Sequence, residues 1–310
     1  MQNKKEKFKD VIVVTGVFYA DNEMYRSRSK IWPKTFANAD RLGVKMVVRN
    51  DGGLPSEMLD GYQKFQNLTF VNKDKPNTLG GGRREAFQKA LEIADSERIE
   101  NPVIVWIEAE KDNFINETNL SRLQDEIKKG TNIIIPERGE KAWKQLPEIQ
   151  GFLEQRAEGK FQQILENETE GAFNKKLDIW FGPKVFNREG AKYFLEYNKE
   201  GNKTDLWDSL MVPVVEAIKK GEKVESVEMD FLYDTGLIES DSSKEASIKR
   251  IEQYTQILAA LGDEDWQKFF ENAKDEIAKA KEILNEKKTL DTPEGEEAKK
   301  GIMNKFWKLK

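Results

Sequence analysis

Five short aliphatic runs, rich in β-branched residues and separated by helix-patterned stretches, recur over residues 11–135 and limit the fold more than any other feature. Val11-Ile12-Val13-Val14 is apolar on both faces, as a strand buried in a parallel sheet must be. Lys45-Met46-Val47-Val48 comes next and halts at the turn signal Asn50-Asp51-Gly52-Gly53. Leu68-Thr69-Phe70-Val71, Pro102-Val103-Ile104-Val105-Trp106-Ile107 and Asn132-Ile133-Ile134-Ile135 complete the set. After the third run, Gly80-Gly81-Gly82 opens a helix whose apolar positions Ala86, Phe87, Ala90, Leu91 and Ala94 keep helical spacing. Strand and helix alternate at short intervals, which predicts an α/β fold: a mostly parallel, Rossmann-like sheet flanked by helices.

Beyond Pro136 the pattern changes. The spacing predicts a long polar helix over 146–165, a strand or extended loop over 177–182, helices over 189–197 and 208–220, and a strand over 225–231. From Ser243 onward the chain reads as almost wholly helical and highly charged, with one apolar stripe of Ile248, Ile251, Tyr254, Ile257, Leu258 and Leu261. Thr292-Pro293-Glu294-Gly295 breaks it into two helices. We divide the chain into a main domain over 1–240 and a helical C-terminal extension over 241–310.

With 310 residues the chain is long enough for one large domain or two, and needs no disulfide or metal to fold. Its 51 Lys+Arg against 56 Asp+Glu leave a net charge of −5, which disfavours a nucleic-acid partner. There is no cysteine and no histidine, so thiolate chemistry, a Ser-His-Asp triad, an HExxH metalloprotease and imidazole acid–base catalysis are all excluded. The lysine-rich start has no apolar signal stretch, and no apolar run approaches the ~20 residues of a membrane span. These features lead us to expect a soluble, cytoplasmic protein without a transmembrane segment; an amphipathic contact with a membrane surface stays open.

In open α/β sheets ligands sit at the carboxyl ends of the strands. Those ends carry Asp21, Asn50-Asp51 and Glu108-Ala109-Glu110, with Asp178 and Asp208 further on. Such a set can hold a divalent cation and a phosphate ester, although single acids after strands most often cap helices. Gly80-Gly81-Gly82 followed by Arg83-Arg84 could hold a diphosphate through backbone N–H groups and paired cations, or could be a flexible loop. It is not a P-loop, and the Gly-x-Gly-x-x-Gly fingerprint is missing after the first strand. Trp106, within an apolar strand, reads as core; Trp180 and Trp207, in polar surroundings, suit a sugar face.

Taken in order, these segments resemble the A-type glycosyltransferases, nucleotide-sugar enzymes of the family-2-like and mannosylglycerate-synthase-like groups. Val13-Val14-Thr15-Gly16-Val17-Phe18-Tyr19-Ala20-Asp21-Asn22-Glu23 is similar to a lengthened form of their first-strand motif, and Val48-Arg49-Asn50-Asp51-Gly52-Gly53 to their second. Leu79-Gly80-Gly81-Gly82-Arg83-Arg84-Glu85-Ala86 resembles their glycine-rich helix entry, and Glu108-Ala109-Glu110 stands in place of their Asp-x-Asp. Phe181-Gly182-Pro183-Lys184-Val185-Phe186 resembles the acceptor segment, and Trp207-Asp208 the acidic pair before a helix. The resemblance covers about residues 10–235.

It implies a GT-A sheet and a transferase, a hexosyltransferase in particular, acting from a nucleotide-diphosphate sugar on a small-molecule, lipid-linked or glycan acceptor. The donor would meet Thr15, Val17, Asp51, Gly81, Gly82, Arg83, Arg84 and Glu108. Mg2+ or Mn2+ would sit on Glu110, Glu108 and Asp234, and the acceptor or sugar on Trp180, Gly182 and Trp207. The catalytic carboxylate would be Asp208 or Asp178, with Asp205 a further rival. Because Glu-x-Glu replaces Asp-x-Asp, a catalytically silent nucleotide-sugar-binding or scaffold protein of the same fold is the alternative. A nucleotidyltransferase would want a Gly-x-Gly-Thr-Arg loop where this chain has Thr15-Gly16-Val17-Phe18.

Overall fold

Residues 7–18, 23–72, 78–198, 204–241, 244–262 and 292–306, with 268 and 282, are described by the computed structural model. In chain order they form β1 (Val11–Val17), α1 (Glu23–Ser29), α2 (Trp32–Leu42), β2 (Lys45–Asn50), α3 (Ser56–Tyr62), β3 (Leu68–Asn72), α4 (Leu79–Ser96), β4 (Val103–Glu108), α5 (Glu117–Lys128) and β5 (Ile133–Arg138). Then follow α6 (Glu140–Trp143), α7 (Glu148–Glu168), β6 (Lys184–Phe186), α8 (Arg188–Glu196), α9 (Val212–Lys219), β7 (Val224–Met229), α10 (Thr235–Asp241), α11 (Lys244–Ala260) and α12 (Pro293–Phe306). Short 3-10 turns at Asp112–Phe114, Ile179–Phe181 and Trp207–Leu210 lie in the connections.

The strands make one seven-stranded sheet in the order β3-β2-β1-β4-β6-β5-β7. Every pairing is parallel except those of β6, which runs antiparallel to both β4 and β5. This is the mostly parallel α/β sheet expected from the alternation. Side chains alternate across it: Ile12, Val14, Ile104 and Trp106 face α4, α7 and α11, while Val11, Val13, Val103 and Val105 face α2 and α5. Both faces are covered, which is why the strands are apolar throughout rather than alternating with polar residues.

Two connections depart from the sequence expectation. The segment 177–182 is neither strand nor loop but the 3-10 turn Ile179–Phe181, after which Gly182 (φ 100°) and Pro183 lead into the three-residue β6. The helix expected over 208–220 is broken at Met211, because Pro213 stands in the first turn of α9 and has no N–H to continue an earlier helix. The expected stripe of the extension is largely there: Ile251, Tyr254, Ile257 and Leu258 of α11, with Ala298 and Ile302 of α12, join the apolar cluster of Ile12, Val14 and Trp106. The Ile248 side chain and most of 263–291 lie outside the described residues. Among the described residues no helix is long and apolar enough to cross a membrane.

Gly190, in the first turn of α8, lets that helix sit directly on the start of β5. A Cβ there would collide with the Asn132 carbonyl oxygen and come 2.8 Å from Ile133 Cγ1. Backbone cannot yield as a flexible side chain can, so Gly190→Ala should destabilise the fold by ~1–3 kcal/mol, read as a lowered urea midpoint with an unchanged m-value.

Candidate active site

Parallel pairing brings the carboxyl ends of β2, β1 and β4 side by side, with Gly16 level with Arg49 on one side and Glu108 on the other. Asp51 follows β2 and leans over this end: a Cβ on Gly16 would lie 3.3 Å from Asp51 Oδ2, and one on Gly82 would lie 2.8 Å from Oδ1. Arg49, almost fully buried, donates from Nε to Asp51 Oδ1 at 3.2 Å and pairs with Glu85 of α4. So Asp51, Gly82 and the end of β1 meet, as expected. Thr15 and Val17 belong to the same strand end, but their side chains are buried in the sheet.

The glycine run meets a different need from the one expected. All three glycines lie inside α4, and their N–H groups donate within the protein: Gly80 to the Asp205 carbonyl (2.8 Å), Gly81 to Thr78 Oγ1 (2.9 Å) and Gly82 to the Thr78 carbonyl (3.0 Å). Glycine is required at Gly80 because a Cβ would run into Asp205 and Ser209. The two arginines serve the same contact. Arg83 donates to the Leu206 carbonyl (2.7 Å) and Ser209 Oγ (2.8 Å), packed over the Trp106 and Trp207 rings, and Arg84 forks onto Asp205 at 2.6 and 2.8 Å. Gly80, Arg83 and Arg84 therefore fasten residues 205–209 to α4, Gly81 is bonded to Thr78, and the run does not form a free diphosphate cradle.

The two carboxylates expected to catalyse are also turned inward. Asp208 is fully buried and accepts the Leu206 N–H (2.7 Å), the Asp205 N–H (3.2 Å) and the Tyr197 hydroxyl. Burial and that bond hold the Tyr197 phenol well above its ordinary range. Asp178 accepts the Arg138 backbone N–H and its guanidinium, at 2.8 Å from Nε and 2.5 Å from Nη2. Burial alone would raise Asp178, but the Arg138 charge and the hydrogen bonds from Arg138 and Glu158 together outweigh it and keep the carboxyl below its usual value. The third acid near Arg138, Glu158, is pushed up to about 9 by burial and by the negative Asp178 beside it.

The remaining expected residues do converge. A cavity of about 150 Å³ at the end of β4 is walled by Glu108, Glu110, Trp180, Gly182 and Trp207 together. Gly182 stands so close to Glu108 that a Cβ would collide with its carboxylate. The other walls come from residues that sequence reasoning did not single out: Arg28 of α1, Lys111, Asp241 at the end of α10, and Lys249, Arg250 and Tyr254 of α11. Arg28 bridges Glu110 (2.8 Å) and Asp241 (2.7 Å), Arg250 holds the other Asp241 oxygen (2.7 Å), and Lys111 Nζ lies 3.4 Å from Glu108 Oε2. Burial opposes the Lys111 charge, yet Glu108, Tyr233, Glu110 and Asp241 together outweigh it, and the ammonium is held above the ordinary range. Lys111 adjoins Glu110 in sequence and could have been flagged there; the others come from positions far away along the chain.

Of the expected metal ligands, Glu108 and Glu110 face this cavity and Asp234 does not. Asp234 pairs with Lys34 at 2.9 Å and caps the Gly236 N–H. Among the described residues no three carboxylates gather as a bound ion requires. The two glutamates each carry a cation already, so among the described residues no donor set fits a divalent metal. Asp21 lies outside the described residues.

No protein-family model matches the chain, and no curated protein matches its sequence. Solved structures that it resembles include glucosyl-3-phosphoglycerate synthase from Mycobacterium tuberculosis in complex with Mn2+, uridine diphosphate and glucosyl-3-phosphoglycerate. That match has 10% identity and a TM-score of 0.49, over 81% of this chain and 80% of that one. S. aureus TarS 1–349 matches at 10% identity and a TM-score of 0.40, over 96% of this chain and 79% of that one. A cytidylyltransferase from Leptospira borgpetersenii matches at 8% identity and a TM-score of 0.36, over 71% of this chain and 76% of that one. These are likenesses of fold alone, and none carries its reaction over to this chain.

Asp178→Asn breaks a buried ion pair from one side and should cost ~3–5 kcal/mol of stability, visible in chemical denaturation without any substrate. Lys184, fully buried, gives a pH signature. Burial pushes its ammonium from 10.5 down to about 7, so between those values the unfolded chain binds a proton that the folded chain has released. Stability therefore gains with rising pH across that window. The gain should be smaller in Lys184→Met than in the wild type when unfolding is followed from pH 7 to 10.

Proposed function

We propose that the chain is a glycosyltransferase that moves a sugar, a hexose in keeping with the family it resembles, from a nucleotide-diphosphate sugar to a hydroxyl acceptor. The observation that carries this reading is the convergence of Glu108, Glu110, Trp180, Gly182 and Trp207 on one cavity beside β1 and β4. There the strand order reverses, with β2 and β3 on one side and β6, β5 and β7 on the other. Such a switch point is where open α/β sheets bind ligands. Asp51, standing over Gly16 and Gly82, is the group for the nucleobase or ribose. The diphosphate and sugar then extend toward Glu108 and Glu110, and the indole faces of Trp180 and Trp207 take the sugar or acceptor. In the transfer the anomeric C–O bond breaks with its electron pair left on the diphosphate. The acceptor oxygen closes the new bond and releases its proton to a cavity carboxylate or to water.

One observation favours a second reading, a nucleotide-sugar-binding protein without turnover. The cavity of about 150 Å³ is smaller than the ~300–1,000 Å³ usual for ligand sites, which leaves little room for a donor and an acceptor together. A thermal-shift screen of UDP-, GDP- and ADP-hexoses on the full chain tests the common part of both readings, because a ligand of the folded state raises Tm by mass action. At least one donor should do so, and Asp51→Ala should weaken its binding by ~1–3 kcal/mol. If no nucleotide sugar shifts Tm, both readings fail; release of the nucleoside diphosphate in the presence of acceptors separates the enzyme from the silent binder.

A further inference from the structure

We propose that the donor's diphosphate is held and neutralised by the protein's own cations, chiefly Lys249, Lys111 and Arg28, in the place where a divalent metal would otherwise sit. The inference rests on the transferase reading above and adds to it how that site manages negative charge.

The cavity is walled by Arg28, Lys111, Lys249 and Arg250, while its acids are Glu108, Glu110, Asp241 and Glu154. Glu154 is turned away to Arg138, at 2.5 Å, and to Gln150. Directly behind Gly182 lies Lys184, whose ammonium donates to the carbonyls of Ile179 (3.0 Å), Gly182 (3.1 Å) and Pro183 (3.2 Å). With Glu154 turned away, three carboxylates face the four cations Arg28, Lys111, Lys249 and Arg250, and the cavity is short of negative charge by one. Lys249 makes the shortage local. Its ammonium rests 5.4 Å over the Trp207 ring, with no carboxylate in ion-pair reach among the described residues. A divalent ion between Glu108 and Glu110 would stand beside Arg28 and Lys111, whose like charge opposes it. A diphosphate brings the opposite sign and needs only that the cations share it with their present partners. Glu108 Oε2, buried and accepting no hydrogen bond, remains for a ribose or sugar hydroxyl.

The two ways of neutralising a diphosphate give opposite signs for one substitution. If Glu110 were a metal ligand, Glu110→Gln would weaken diphosphate binding. Here Glu110 only competes for Arg28, so Glu110→Gln should tighten binding, roughly three- to tenfold. Calorimetric titration of the full chain with inorganic pyrophosphate, UDP, GDP and ADP, each with EDTA and with Mn2+, reads this directly. The expected result is binding of equal strength in both conditions, weakened at least ~10-fold in Lys249→Met and kept in Lys249→Arg, with circular dichroism confirming that the variants fold. Binding that needs Mn2+, or a Glu110→Gln variant that binds more weakly, overturns the inference while leaving the transferase reading in place. Nucleotide-sugar binding by a chain that binds none of these anions in either condition also overturns it. Failure of every nucleotide and nucleotide sugar removes the transferase reading as well.

Discussion

Gly16 sits level with Arg49 on β2 and with Glu108 on β4, and the site is built around that register. Shifting a strand by one residue would turn its side chains to the other face, so the buried Val11, Ile12, Val13 and Val14 hold the register from both sides. Once it is set, the acids that end β2 and β4 flank the end of β1, and the backbone has to leave room for them. It does so with glycine. Gly16 and Gly82 let Asp51 approach from two sides, Gly182 lets Glu108 approach, and Gly80 does the same for Asp205. Residues far apart in sequence thus share one physical role, the close approach of backbone to a carboxylate.

Buried arginines then fix the loops that surround the strand ends. Arg49 ties β2 to α4 through Glu85, Arg83 with Arg84 ties residues 205–209 to α4, and Arg138 ties β5 to α7 through Glu154 and to Asp178. Such pairs contribute little net stability, because desolvation offsets most of their attraction. Their consequence here is geometric, since the guanidinium fork has fixed directions and five donors. Asp178 and Asp205 are consumed in this framework, and Asp208 by the Tyr197 hydroxyl and two backbone N–H groups, so these carboxylates are turned inward in the folded chain. With Glu154 turned to Arg138, the carboxylates left facing the cavity are Glu108, Glu110 and Asp241, each paired with a cation.

The helical extension closes the arrangement. Its apolar stripe joins the same cluster as β1 and β4, so α11 lies over the cavity with Lys249 and Arg250 beside the stripe. The extension thus supplies two of the four cations that wall the candidate site. Trp180 shows the coupling: its ring packs edge-on against Tyr254 of α11 at 4.6 Å, and both residues line the cavity.

Local chemistry made the strands readable: β-branched runs buried on both faces mark a parallel sheet whatever surrounds them, and the acids that end them mark where a ligand would lie. Glu108, Glu110 and Asp51 stood out for that reason, Trp180 and Trp207 as indoles in polar surroundings, and Gly182 only through the family resemblance. The antiparallel β6 was not, because three residues carry no period and its direction follows from the turn at Gly182 and Pro183. Nor were the charge pairs, since Arg28 meets Asp241 across 213 positions and nothing in either local sequence records the other. Sequence by itself determined the parallel strands, that no histidine or cysteine takes part, and which of those strand ends carry carboxylates. Only the tertiary structure decided which of those carboxylates face a cavity and which are spent on buried arginines, because ion pairing depends on distances of a few ångströms that chain separation does not encode.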